Sequence, residues 1–295
     1  MKNSTADPSF LADKYIFGAH QFLWKQIWTD EDLKILDEAR NLGLSLFEVS
    51  LGEDVHFDYR RLNSHARDLK MELSIGPGNV WDMDCDISHD DPAMRDKGIA
   101  WHKKIIERAA ECGAKAYCGA IYSHPGRVCR REPLKEEMYY AAENLHLLAE
   151  FADDFHVRLV IEPMSRFRNH LINNALQASK LAVMADHPNL SINLDTFHMI
   201  TEERDYGQAI RIASPKLWGI HACENDRGVP GGGLVPWTDI FHALQEINAP
   251  VRVMMETYRT GPDGFGFDRG IFQNLCPDPV VFVERGLRFL QSQVR

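Results

Sequence analysis

Short apolar runs alternate with longer stretches whose apolar residues recur three or four positions apart, so strand and helix signals follow one another along most of the chain. Tyr15-Ile16-Phe17-Gly18-Ala19 reads as a first strand. Thr29-Asp30 then marks a helix start, with Leu33, Leu36 and Ala39 on one face and Gly43 as the stop. Residues 45–49 read as a second strand, 59–70 as a polar helix, and 73–75 as a short third strand ended by Gly76-Pro77. An Asp-rich loop over 81–91 precedes a long helix near 92–112. Residues 116–121 form the fourth strand, and 134–155 another long amphipathic helix.

The next four runs share one form. Arg158-Leu159-Val160-Ile161 ends in Glu162, and Ser191-Ile192-Asn193-Leu194 ends in Asp195. Leu217-Trp218-Gly219-Ile220 ends in His221, and Arg252-Val253-Met254-Met255 ends in Glu256. Helical segments near 174–185, 202–212, 236–247 and 279–291 separate and follow them. Eight β-α units in series, with no Pro/Gly/Ser-rich linker, predict one domain over 1–295, a closed (β/α)8 TIM barrel. A doubly wound open sheet is the alternative, weakened because no G-x-G-x-x-G follows the first strand.

A barrel of this kind carries its active site at the C-terminal ends of its strands. One Glu after an apolar run is often a solvated strand end, but four such positions, each about one unit apart, form a joint pattern. Adjacent strands lie about 4.8 Å apart, so four consecutive strand ends can converge on one ion. Burying three carboxylates together without a cation would cost several kcal/mol. Two Glu, one Asp and one His therefore predict a single divalent ion, Mn²⁺ first, with Mg²⁺, Co²⁺ or Zn²⁺ as alternatives.

The 295 residues carry a net charge of -10, a field that repels phosphate backbones, so nucleic acid is not expected as a partner. Six cysteines without C-x-x-C spacing, and a polar stretch from Met1 to Phe10 with no apolar h-region, point to reduced thiols in the cytoplasm. No run reaches membrane-spanning length.

The motifs resemble the xylose-isomerase-like sugar isomerases and epimerases, most closely the ketose 3-epimerases of the D-tagatose/D-psicose type. The shared pieces are Ile161-Glu162-Pro163-Met164-Ser165-Arg166-Phe167, Asn193-Leu194-Asp195-Thr196-Phe197-His198-Met199, His221 to Arg227, Pro230-Gly231-Gly232-Gly233, Pro236-Trp237 and Met255-Glu256. The resemblance is strong from Glu162 to Glu256 and diffuse before it. It implies that Glu162, Asp195, His221 and Glu256 bind the metal, that Glu162 and Glu256 are the acid/base pair, and that His198 and Arg227 contact substrate oxygens. It also implies a sugar or sugar-derived substrate and a homo-oligomer, dimer or tetramer.

The chemistry fits independently. Removing a proton beside a ketone gives an enediolate, which a Lewis acid stabilises, and two carboxylates on opposite faces can take one proton and return another. His198 could instead only hold its loop, and Arg227 could be a surface charge. The Gly231-Gly232-Gly233 run lacks a P-loop Lys-Ser/Thr and reads as a flexible loop beside the site. Trp24, Trp28 and Trp81 read first as core, with Trp24 and Trp81 able to line the pocket.

Two departures from the family stand out. Arg168 occupies the position, six residues after the first Glu ligand, where ketose 3-epimerases carry a Glu that helps hold substrate. The loop Tyr122-Ser123-His124-Pro125-Gly126 also lacks their tryptophan. If Arg168 faces inward, it favours an anionic substrate group. The alternatives are a keto-sugar dehydratase or lyase on the same barrel, an endonuclease IV-like phosphodiesterase, and a non-catalytic sugar-binding protein.

Overall fold

A computed structural model describes residues 14–260 and 265–294. The polar stretch Met1 to Phe10, read above for a leader, lies outside them. Eight parallel strands close into a barrel in sequence order: β1 (Tyr15–His20), β2 (Leu46–Ser50), β3 (Glu72–Gly76), β4 (Ala116–Gly119), β5 (Arg158–Ile161), β6 (Leu190–Asp195), β7 (Leu217–Ala222) and β8 (Val251–Met255). The first strand pairs with both β2 and β8, which excludes the open sheet. The helices are α1 (Leu33–Asn41), α2 (Tyr59–Asp68), α3 (Pro92–Glu111), α4 (Lys135–Asp154), α5 (Ala175–Ala185), α6 (Thr196–Met199), α7 (Tyr206–Ala213), α8 (Trp237–Gln245), α9 (Phe265–Asp268) and α10 (Pro279–Gln293). None is long and apolar enough to cross a membrane.

Local chemistry sets the boundaries. Asp58, Asp91 and Asp278 each accept from backbone N–H groups at the start of α2, α3 and α10, and proline follows the cap in the last two. The fourth strand ends at Gly119, earlier than the apolar run predicts, because Gly119 turns to φ 153° where its Cα packs on Pro77. Helix α7 likewise starts at Tyr206 rather than 202. Glu202 is instead drawn to Arg166 and Glu203 to the Ala175 amide, and Asp205 becomes the cap. Two short helices were not anticipated, α9 and α6; α6 begins directly after β6, where the Asp195 carboxylate accepts from the Phe197 amide.

Most of the core lies between strands and helices. A smaller cluster of Leu46, Ala116, Cys118, Val160, Trp218 and Met254 fills the barrel interior. Side chains two residues further along a strand share that inward face. Val160 thus leads to Glu162, Met254 to Glu256 and Leu46 to Glu48. On β7 the parity would fail, since Trp218 and His221 are three apart. The register against β6 shifts there, Ile192 facing Leu217 but Asn193 facing Gly219, so Trp218 is an inserted residue and His221 turns inward. Gly219 permits the close approach: a Cβ there would stand 2.6 Å from the Arg252 carbonyl oxygen.

Candidate active site at the barrel mouth

Glu162 follows the last residue of β5, Asp195 ends β6, His221 is the penultimate residue of β7 and Glu256 follows β8. One ligand atom from each lies within 4.8 Å of the others, and all four side chains are buried. His221 Nδ1 is 2.9 Å from Glu162 Oε2 and 3.5 Å from Glu256 Oε2. The Arg227 guanidinium Nη1 is 2.7 Å from Asp195 Oδ2 and 2.5 Å from Glu256 Oε2.

These distances are short, yet both His221 nitrogens and Asp195 Oδ2 are buried without an aligned hydrogen-bond partner. Buried polar atoms left in that condition are costly unless something else satisfies them. The field around them has the matching sign. Burial opposes protonation of His221, but Glu162, Glu256 and Glu48 outweigh it and hold its pKa well above the ordinary histidine value. Burial, helped by Glu256 and Glu162 and opposed by Arg227, pushes Asp195 up to about 7. Burial also acts to raise Glu256, but Arg227 and His221 reverse this and hold it well below the usual carboxylate range. Three carboxylates and one imidazole with unaligned lone pairs fit a divalent cation.

A supporting layer orients these groups. Glu48 Oε1 lies 3.4 Å from His221 Nε2 and 3.5 Å from His20 Nε2, while its other oxygen accepts from Ser74 at 2.6 Å. Asn193 donates to Glu162 Oε2 at 3.2 Å, and Tyr258 to Glu256 Oε1 at 2.8 Å. Arg227 is buried in a left-handed conformation, φ 69°, with its guanidinium 4.4 Å from the Phe197 ring centre and 5.3 Å from that of Tyr258. A non-glycine residue held there is strained, and the ion pairs and stacking hold it in place. Burial, then Arg227, drives the His198 pKa well below normal, so that imidazole is neutral.

Glu162, His221 and Glu256 open into a cavity of about 390 Å³ that also includes His198, Arg227 and Arg168 in its wall, while Asp195 stays outside the lining, paired with Arg227. The proposed ligands and the proposed substrate-contacting residues thus lie together, whereas the tryptophans and the glycine run divide. Trp81 lines the cavity, stacked on Trp101 at 4.3 Å. Trp24 does not: its ring packs near Phe47 and donates to Glu38 at 2.6 Å, which turns it into the core. The glycine run is also absent from the described lining. Gly231 instead donates to the Glu224 carboxylate, which Val235 and Trp237 share. His20, Glu48, His124, Tyr258 and Arg269 line the cavity and were not singled out beforehand. His20 had the same signal as the others, a polar side chain closing an apolar run, whereas Glu48 sits inside its strand, before Val49.

Comparison with known proteins agrees with this geometry. Residues 36–282 match the family model described as Xylose isomerase-like TIM barrel. The chain is 29% identical over 265 residues to D-psicose 3-epimerase of Agrobacterium fabrum, covering 88% of this chain and 90% of that protein. It is 27% identical over 280 residues to a probable ketose 3-epimerase of Synechocystis sp., covering 95% and 96%. Among solved structures, an L-ribulose 3-epimerase superposes with a TM-score of 0.87 at 27% identity, covering 94% of each chain. The chain therefore belongs to the xylose isomerase-like TIM barrel family, and the relatives it matches along nearly all of its length are epimerases, enzymes of the isomerase class.

Proposed function

We propose that this protein is a divalent-metal-dependent ketose 3-epimerase or a close variant of one. The observation that carries the reading is the placement of two buried carboxylates, Glu162 and Glu256, around one imidazole edge, 2.9 and 3.5 Å from His221 Nδ1. Glu162, Asp195, His221 and Glu256 would hold the ion, Mn²⁺ first by ligand type. When bound, such an ion supplies Lewis acidity that makes the proton beside a ketone easier to remove.

The protein's own groups account for the rest. Glu256, held as a carboxylate by Arg227 and His221, is ready to accept a proton, and Glu162 can deliver one to the opposite face, which inverts the stereocentre. Return to the adjacent carbon would instead exchange ketose and aldose. Neutral His198, whose Nδ1 has no partner, and Arg227 sit where substrate oxygens would be oriented. Phe22, Trp81, Met164 and Ile271 give the cavity apolar walls that limit water around an enediolate.

The test is solvent deuterium incorporation into a panel of keto-sugars by the Mn²⁺-loaded protein. Deuterium at carbon 3 together with the C3 epimer supports the reading. Release of water or of a leaving group would assign a lyase, and complete absence of exchange across the panel would overturn the epimerase.

A further inference from the structure

The cavity is electrically divided. Its acidic set, Glu48, Glu162 and Glu256, surrounds His221, whereas Arg168, Arg227 and Arg269 contribute positive charge to the wall. Two of these guanidiniums are engaged. Arg227 pairs with Asp195 and Glu256, and Arg269 donates to the Gly78 carbonyl at 2.5 Å. Arg168 differs. It lies on the loop after β5, where the Arg168 amide donates to the Ser165 carbonyl at 2.8 Å and Asn169 bonds the same carbonyl at 3.2 Å, a tight turn that fixes where the side chain starts. Its guanidinium reaches the cavity with no acceptor among the described residues.

A second unpartnered group shares this wall. His124 is buried, donates through Nε2 to the Trp81 carbonyl at 3.3 Å, and leaves Nδ1, the acceptor nitrogen of the neutral ring, without a partner. Its ring lies tilted against Trp81, 4.4 Å between centres, and the backbone N–H of His124 is tied to Asp86, so the imidazole is held in place. The fields of Arg168 and His124 act on each other, which puts the two groups in one neighbourhood. Burial and the nearby Arg269 and Arg227 charges oppose the Arg168 charge. A cation in that setting gains when a fixed anion enters and gains little from a hydroxyl.

Building on the epimerase reading, we infer that Arg168 forms the acid-binding end of the cavity, with His124 Nδ1 beside it as an acceptor for a substrate hydroxyl, and that the substrate is a keto-sugar bearing a carboxylate. The planar guanidinium fork offers paired donors to the two oxygens of a carboxylate. The helix start in the described wall is that of the four-residue α6, where the Phe197 amide is already taken by the Asp195 carboxylate, a poor cradle for a phosphate dianion, which favours the carboxylate. Arg168 is a specificity-determining residue, separate from the proton-transferring pair.

Two measurements test this, one of them independent of turnover. The first is equilibrium binding of D-gluconate and D-glucitol, which differ in the carboxylate, to the Mn²⁺-loaded protein and to Arg168→Gln. The expected result is a ~10-fold or larger preference for gluconate that collapses in the variant. The second compares kcat/KM for D-fructose, for the ketohexuronate that differs from it by a C6 carboxylate, and for fructose 6-phosphate. The ketohexuronate is expected to lead by ~10-fold or more, with the ratio falling toward unity in Arg168→Gln. Equal binding of gluconate and glucitol, a ratio that survives the variant, or a lead for fructose or its phosphate would each overturn the carboxylate assignment. Gluconate selectivity that depends on Arg168 in a protein with no exchange activity would uphold the acid-binding end while removing the epimerase reading. If Arg168→Gln is misfolded by circular dichroism, Arg168→Lys carries the test: it keeps the charge, loses the fork, and should keep only part of the preference.

Discussion

The Tyr258 hydroxyl donates to Glu256 Oε1 at 2.8 Å, the carboxylate oxygen that Arg227 leaves free, because Arg227 takes Oε2. Glu256 is thus held by one neutral and one charged donor. A hydrogen bond to the ionised form favours it, so Tyr258→Phe should raise the pH at which Glu256 protonates. We expect the acidic limb of kcat/KM to move up by about one pH unit, since a bond to a charged group is worth about 1.5–3 kcal/mol. An unmoved limb would mean that Glu256 is not the group titrating there.

Proton transfer and ion binding can be separated at Glu162 and Glu256. Glutamine keeps an oxygen ligand but cannot accept the proton, so Glu162→Gln and Glu256→Gln should each lower turnover by at least ~10². Elemental analysis should find metal in both. Near-normal turnover with full metal content would rule out a two-carboxylate mechanism.

Chelation should abolish exchange activity, and Mn²⁺ should restore it. At a free ion concentration one hundred times Kd, binding stabilises the folded state by about 2.7 kcal/mol, which calorimetry should register in a chain of this length as a Tm rise of roughly 4 °C. Asp195→Asn should lose most of that rise. Glu48→Gln, which disturbs the partner of His221 Nε2, should weaken ion affinity by ~10–100-fold while leaving all four ligands present. An Asp195→Asn protein with an undiminished Mn²⁺-induced shift would place the ion elsewhere.

A separate pH effect comes from Glu137, a fully buried side chain outside the cavity lining. Burial acts to raise its pKa, but Arg131, the Leu134 amide and His170 overcome this and bring it down to about 2. A depressed folded-state carboxylate stabilises above its unfolded value, near 4.5, and that stability is lost as pH falls through the folded value. Wild-type Tm should therefore drop between about pH 4.5 and 2 more steeply than that of Glu137→Gln, whose Tm should already be lower at pH 7. Parallel Tm curves would show that Glu137 does not contribute this component.

The strands and the four strand-end residues were legible because each is a local pattern, an apolar run closed by a ligand type, repeated at unit spacing. The inward turn of His221 was not, since it depends on an inserted Trp218 that only the pairing with β6 reveals. His20 carried the same local signal and Glu48, inside its run, did not; the use of Glu48 depends on contact with His221, some 170 positions later, and that of His20 on contact with Glu48. Trp24 and Trp81 both read first as core with the pocket as alternative; Trp24 is core, bonded to Glu38, whereas Trp81 lines the cavity. Arg168 was identified from the sequence as a departure from the family, and its position in the cavity wall follows from the turn at Ser165.

Tyr15 sits beside Val251 in the ladder, so β1 and β8 join residues from nearly opposite ends of the chain. Such a seam carries a large loop-closure entropy and forms slowly compared with neighbouring β-α units. The proposed ligands all come from the later half of the chain, yet Glu48, which braces His221, and His20, which contacts Glu48, arrive from the first two strands. A chain refolding from denaturant should therefore assemble the four ligands before it braces them. Tight ion uptake would then report the closing of the ring, giving this protein a built-in kinetic marker for its last folding event.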